Sequence, residues 1–303
     1  MPASRLAAIQ KSTIVRSFAL LERVAPAVGA RWAEALWFRI PSPRGRRDRL
    51  AEPGRPFQVQ LYGRTVVGEV WGDEAAEAAE AVYLVHGWGG WGAQLDAFVG
   101  PLTGAGLRVV AFDAPSHGAS DPGPEGPGRS TILELADALA AVVAANGPAH
   151  AVIAHSLGAT AAAYALGRGL AAGRMVFIAA MADPLPYTRM VAGRLGFGGR
   201  TRTRLVARIE RRVGTSMSAF AVPAMAGRVA TPPLLLVHDR HDTETGWSDS
   251  AAIARSWRGA RLHSTTGLGH RRILRDPGVV AEVTGFALEP SAARSGLAAD
   301  TRS

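Results

Sequence analysis

Ala151-Val152-Ile153-Ala154-His155-Ser156-Leu157-Gly158-Ala159-Thr160 is the stretch on which the fold turns. An apolar run reaches a small-x-Ser-x-Gly pentapeptide, and an Ala-rich helical pattern begins directly behind it. A serine at the tip of a sharp strand-to-helix turn projects its hydroxyl above a sheet. The N-terminus of the following helix then directs backbone N–H groups, Leu157 N–H first among them, at an oxyanion formed there. Strand and helix pass within contact distance at such a turn, so the flanking positions must be small. Gly158 meets that need, while Ala154 stands where glycine is more usual and takes up one methyl of clearance.

Further segments lie on either side of this one. Upstream, Ala81-Val82-Tyr83-Leu84-Val85 has the pattern of a buried strand and runs into His86-Gly87-Trp88-Gly89-Gly90. Arg108 to Phe112 repeats that pattern and leads into Asp113-Ala114-Pro115-Ser116-His117-Gly118-Ala119-Ser120. Downstream, Leu234-Leu235-Leu236-Val237 ends in His238-Asp239-Arg240-His241-Asp242, and Gly267-Leu268-Gly269-His270 follows. With these motifs in this order, residues 56–288 resemble the α/β-hydrolase superfamily. The resemblance implies a mostly parallel twisted sheet with helices on both faces and a Ser-His-Asp triad. It implies no particular substrate.

The bounds set by composition agree. At 303 residues the chain suits one large α/β domain or two small ones. A hydrophobic fraction of 48% with 19% charged residues describes an ordinary globular protein. Cysteine is absent, which excludes a disulfide, a thiolate nucleophile and a Cys-ligated metal. The N-terminal apolar run Leu6 to Ile9 is too short for a signal peptide, and no apolar stretch approaches the roughly 20 residues of a membrane span. The expectation is a soluble, cytoplasmic protein.

The formal charge of +9 is unevenly spread. Residues 1–55 carry a net of +7 and residues 185–230 a net of +8, so the catalytic body is acidic. Nothing resembles a nucleic-acid-binding motif, and no nucleic-acid partner is expected. The two basic segments read as solvated arginine, or as a surface for an anionic membrane or an acidic substrate.

Along the chain, residues 1–55 read as an N-terminal helical arm, broken near Pro26, followed by an Arg- and Pro-rich linker from Pro41 to Pro56. The arm either packs on the body or rests weakly on anionic lipid. Residues 56–184 and 231–290 form the core. It opens with a hairpin, Phe57 to Tyr62 and Thr65 to Trp71. Strands follow near 81–86, 107–112, 150–155, 174–180, 233–238 and 260–265. Helices near 93–104, 130–146, 157–170, 247–257 and 277–288 separate most of them, as a parallel sheet requires. Residues 291–303 read as a flexible tail.

The connection over residues 185–230 is too long for a plain crossover. It contains an amphipathic helix, Thr201 to Val213, with Leu205, Val206, Ile209 and Val213 on one face and arginines on the other. Insertions at this point in the resembled superfamily form lids, which would place Leu205 and Ile209 on the substrate and the arginines in water. A fixed helical cap is the other reading.

The chemistry follows from residue types. A serine hydroxyl needs a base to remove its proton as it attacks. His270, in a loop where Gly267 and Gly269 just before it free the backbone to aim the imidazole, is the candidate base for Ser156. His86 and His238 end strands and read as braces of backbone loops, and His155 points into the turn. His117, His150 and His241 read as loop or surface residues. The third member must orient the imidazole and stabilise its cation. Asp242, 28 residues before His270, leaves room for one helix and one strand and is the leading choice. Asp183 and Asp239 remain open as alternatives. By resemblance, Trp88 N–H is the second oxyanion donor beside Leu157 N–H, and its indole either walls the substrate pocket or simply packs the loop. No metal-ligand spacing or dinucleotide fingerprint is present, so neither metal nor cofactor is expected. The reading is a serine hydrolase acting on a small-molecule acyl substrate, an ester before a thioester or amide. An acyltransferase with the same triad and a non-catalytic binding protein on this scaffold are the alternatives.

Overall fold

The computed structural model describes residues 3–41, 53–72 and 81–289, with side chains from residue 12 onward. Most of the expected linker and the expected tail at 291–303 lie outside the described residues. In chain order the elements are helices α1 (Ala3–Val24) and α2 (Pro26–Trp37), then strands β1 (Arg55–Leu61), β2 (Arg64–Trp71) and β3 (Ala81–Val85). A 3-10 turn (Gly92–Phe98), α3 (Val99–Gly104), β4 (Arg108–Phe112), α4 (Ile132–Asn146), β5 (Ala149–His155), α5 (Leu157–Gly167) and β6 (Met175–Ile178) follow. The insertion holds α6 (Pro184–Leu195), α7 (Gly199–Val213), a 3-10 turn (Met217–Phe220) and α8 (Val222–Ala226). The chain continues through β7 (Leu234–Asp239), α9 (Trp247–Ser256), β8 (Arg261–Thr265), α10 (Gly269–Arg272) and α11 (Pro277–Leu288). Among the described residues no helix is long and apolar enough to cross a membrane.

The chain divides into two compact units, residues 40–182 with 222–303 and residues 1–39 with 183–221. The larger unit is built on one eight-stranded sheet in the order β1-β2-β4-β3-β5-β6-β7-β8. β1 and β2 form the expected antiparallel hairpin, and β2 pairs antiparallel with β4. From β4 through β8 every pairing is parallel. The central strands are buried on both faces, which is why they read as continuous apolar runs rather than alternating ones. Their side chains still divide with period two. Tyr83, Val85, Val152, Ala154, Phe177 and Leu236 join a core with α4, α5, α8 and α9. Val82, Leu84, Ala151, Ile153, Val176 and Val237 point the other way, against the turn at 92–98, α3 and α11. Because β3 to β7 run parallel, their C-terminal ends lie along one edge of the sheet, where the loops that carry chemistry collect. The helix expected over 93–104 is instead a 3-10 turn followed by a short α-helix, with a non-helical residue at Leu95.

The smaller unit has its own core. Phe18 of α1, Ala33 of α2, Phe38, Ala192 of α6, Phe197, Leu205 and Ile209 of α7, and Met217 pack together. Phe18 stacks on Trp32 with ring centres 4.3 Å apart. Polar contacts fix the helices in place. The first residue before α7 is Gly198, which has no side chain to cap it. The Glu22 carboxylate of α1 does so instead, accepting N–H bonds from Arg200 and Thr201 at 3.0 Å each. Buried Glu34 of α2 pairs with Arg208 at 2.5 Å and lies 3.7 Å from Arg212.

These contacts bear on how the arm and the insertion are organised. The N-terminal helices expected as an arm and residues 183–221 of the expected insertion fall in one compact unit. The apolar stripe of α7, with Leu205 and Ile209 buried, packs with Phe18, Ala33 and Phe38 in the core of this unit. The basic face is also only partly in water, since Arg208 and Arg212 turn to Glu34 and Arg202 donates to the Thr188 hydroxyl at 2.9 Å.

Candidate active site

Ser156 stands between β5 and α5 with φ 55° and ψ −123°, a strained backbone that turns the chain sharply from strand to helix. The turn is held by Ser156 N–H donating to Ile178 C=O at 2.9 Å. Its tightness explains the glycines around it. A Cβ on Gly158 would lie 2.4 Å from His86 O and 2.9 Å from Val85 O. A Cβ on Gly87 would lie 2.9 Å from Ser156 Cβ. Helix α5 and the loop after β3 therefore meet backbone to backbone at the serine.

The structure brings three of the expected residues together. Ser156 Oγ is 3.0 Å from His270 Nε2, and His270 Nδ1 is 2.7 Å from Asp242 Oδ2. A carboxylate oxygen only accepts, so Nδ1 carries the proton, and Nε2 is left to accept from the serine hydroxyl. The Asp242 side chain is fully buried, and burial alone would raise its pKa. Hydrogen bonds from His238 and His270, the charge of His270 and the Glu244 N–H outweigh that penalty and hold it far below the usual carboxylate range. The Thr245 N–H and hydroxyl, each 3.1 Å from the carboxylate, complete its surroundings.

The other candidate acids have different tasks. Asp183 caps α6, accepting from Leu185 N–H at 2.8 Å. Asp239 accepts from the Thr265 hydroxyl at 2.8 Å, Leu268 N–H at 2.9 Å and His241 N–H at 2.9 Å. It thus ties the end of β7 to the loop that delivers His270. Burial opposes its charge, but these donors and Gly269 N–H bring its pKa down to about 2.

The remaining histidines arrange the loops. His86 Nε2 accepts from Ala114 N–H at 3.0 Å, so its Nδ1–H donates to Gly87 O at 2.8 Å. Complete burial lowers its pKa and keeps it neutral. Gly90 N–H donates to the same Gly87 oxygen at 3.0 Å. With its carbonyl held by two donors, the planar trans Gly87–Trp88 peptide directs the Trp88 N–H to the opposite side. His155 Nε2 donates to the His270 carbonyl oxygen at 2.9 Å, and the two rings lie 4.6 Å apart. Burial and the neighbouring His270 push its pKa down to about 3. His117, read from sequence as a loop or surface residue, is buried, with its ring centre 4.9 Å from that of His86 and 5.6 Å from that of Trp88. Burial, with His86 beside it, lowers its pKa to about 3.

Thr245 and the contact of His155 with the His270 carbonyl had no signal in the sequence. The first is an unremarked loop residue, and the second spans 115 positions.

Residues 82–283 match the model of a family described as the alpha/beta hydrolase family. A comparison with the curated proteins finds no match. Among solved structures, a hydrolase from Pseudomonas aeruginosa is 21% identical, with TM-score 0.57, over 78% of this chain and 100% of that one. A thermophilic esterase from Thermogutta terrifontis is 18% identical, with TM-score 0.53, over 76% and 97%. A thioesterase domain from the curacin biosynthetic pathway is 14% identical, with TM-score 0.56, over 77% and 99%. At these identities the likeness is one of fold.

Proposed function

The chain belongs to the alpha/beta hydrolase family, and we propose that it is a serine hydrolase that cleaves a carboxylic ester through an acyl-enzyme. The observation that carries this reading is the unbroken line from Ser156 Oγ to His270 Nε2 at 3.0 Å and from His270 Nδ1 to Asp242 Oδ2 at 2.7 Å.

Ser156 Oγ attacks the acyl carbonyl as His270 Nε2 takes its proton. Asp242 remains ionised and stabilises the imidazolium. The tetrahedral oxyanion accepts from Leu157 N–H at the start of α5 and from Trp88 N–H, which the fixed Gly87 carbonyl orients. Collapse breaks the bond to the leaving alkoxide, which His270 protonates. Water, deprotonated by His270, then attacks the acyl carbon by the same path in reverse and frees Ser156. The Trp88 indole, half-buried beside His117, walls the substrate side of this loop.

The test is covalent labelling with a fluorophosphonate together with turnover of p-nitrophenyl esters from acetate to palmitate. Wild-type protein should label and hydrolyse. Ser156→Ala should do neither while remaining folded, and His270→Ala should lose several orders of magnitude in kcat, since triad members act as a unit. Undiminished turnover in folded Ser156→Ala overturns the assignment. Transfer to an added alcohol in preference to water would make the protein an acyltransferase, and absence of labelling would leave a binding scaffold.

A further inference from the structure

Behind the triad acid lies a second imidazole that the chemistry above does not use. His238, the penultimate residue of β7, is fully buried. Its Nδ1 is 2.7 Å from the hydroxyl of Ser250 on α9, also fully buried. Its Nε2 is 3.2 Å from the Thr245 carbonyl oxygen and 3.4 Å from Asp242 Oδ2. A carbonyl oxygen only accepts, so Nε2 carries a proton, and this donor, bonded to the Thr245 carbonyl, also lies beside Asp242 Oδ2. The oxygen it faces on Asp242 is the one that receives His270 Nδ1.

Packing does not ask for this residue. Leu234, Leu235, Leu236 and Val237 fill the rest of β7, and another aliphatic side chain would bury as much apolar surface with no polar atom to satisfy. Both nitrogens of His238 and the Ser250 hydroxyl are instead matched to partners, and the chain of contacts ends on the catalytic carboxylate.

We propose that His238 is a positioning residue for the reaction: held by Ser250 and Thr245, it steadies Asp242 Oδ2 in the orientation that aligns His270 with Ser156. This inference rests on the serine-hydrolase reading of the site. The charged and titratable groups around the pair come from several elements. Asp239 neighbours His238 at the end of β7, Asp242 follows in the next turn, and His270 approaches from α10 with the His155 ring tilted beside it, 4.6 Å away. Arg271 of α10 and Glu244 of the loop after β7 form an ion pair at 3.3 Å. Among these groups, His238 and His270 face the same carboxylate oxygen. Removing the His238 donor leaves more of the Asp242 charge for the His270 cation, so protonation of the base should shift to higher pH.

The experiment compares His238→Leu, His238→Gln and Ser250→Ala with wild type and Ser156→Ala. The readouts are p-nitrophenyl acetate kinetics across pH, fluorophosphonate labelling rate and melting temperature. His238→Leu should lower kcat and labelling on the order of tenfold. KM should change by less than about twofold, and the acid limb of kcat/KM should move upward. His238→Gln, whose amide can place an N–H near the former Nε2, should recover most of the rate. Ser250→Ala should move the limb in the same direction with a smaller loss, and it decides the matter if the leucine variant does not fold. An unshifted limb with wild-type kcat, or equal losses in the leucine and glutamine variants, overturns the proposal. Failure of the serine-hydrolase reading is seen separately, as activity retained by Ser156→Ala.

Discussion

Gly158→Ala tests whether the backbone approach at the nucleophile is as close as the structure makes it. The added Cβ would lie 2.4 Å from His86 O, 2.9 Å from Val85 O and 3.1 Å from His86 C, all of them backbone atoms that cannot swing aside. Restoring an ordinary contact of at least 3.4 Å requires α5 and the end of β3 to part by about 1 Å. Overpacking of this kind costs about 1–3 kcal/mol. At roughly 2–4 °C per kcal/mol, the melting temperature should fall by several degrees. The loss in rate should exceed the loss in stability. Leu157 N–H sits on one wall of this contact and the Gly87–Trp88 peptide on the other, so parting the walls should move one of the two proposed oxyanion donors out of reach. Loss of such a donor lowers kcat by about 10²–10³. The assays are a thermal melt and p-nitrophenyl acetate turnover, with Gly285→Ala as control. Gly285 lies inside α11 with open space where a Cβ would go, so alanine there should raise stability by up to about 1 kcal/mol and leave kcat unchanged. A Gly158→Ala protein with wild-type melting and turnover would refute the close approach. Lowered stability with full turnover would refute the shared oxyanion hole.

Two further outcomes follow from the two units. Asp239, with its pKa lowered to about 2, contributes stability that is complete above about pH 4 and lost as pH falls towards 2. The melting-temperature gap between wild type and Asp239→Asn should therefore be full at pH 6 and narrow below pH 4, and a gap independent of pH would contradict it. In the smaller unit, Ile209→Ala should cost about 2–5 kcal/mol, as expected for a buried side chain among Phe18, Ala33 and Leu205. Exposed Arg211→Ala should stay within about 0.5 kcal/mol of wild type. Neither change should alter the preference for ester chain length. An altered preference with unchanged melting would return the α7 stripe to the substrate path.

What the sequence alone determined is what local pattern encodes. Buried parallel strands announce themselves as short apolar runs, and the residues carrying chemistry sit just past those runs, so Ser156, Asp242 and His270 could be proposed from position and residue type. Gly158 was legible for the same reason, because a strand–serine–helix turn leaves no space beside it. The choice among Asp183, Asp239 and Asp242 was not local. All three lie at or just past the end of a strand, and only the packing of β6, β7 and β8 side by side sets one against His270 while the others cap a helix or brace a loop. The same holds for His238 and Thr245, whose partners on Asp242 are settled by the turn after β7. The α7 stripe shows the limit most clearly. An amphipathic helix states that one face will be buried but not against what. Its partners Phe18 and Ala33 lie far away in sequence, and they reach Leu205 and Ile209 only through tertiary packing, with a carboxylate on each N-terminal helix to receive α7. Periodicity carries the direction of burial, whereas the identity of the partner depends on long-range contacts that no local pattern records.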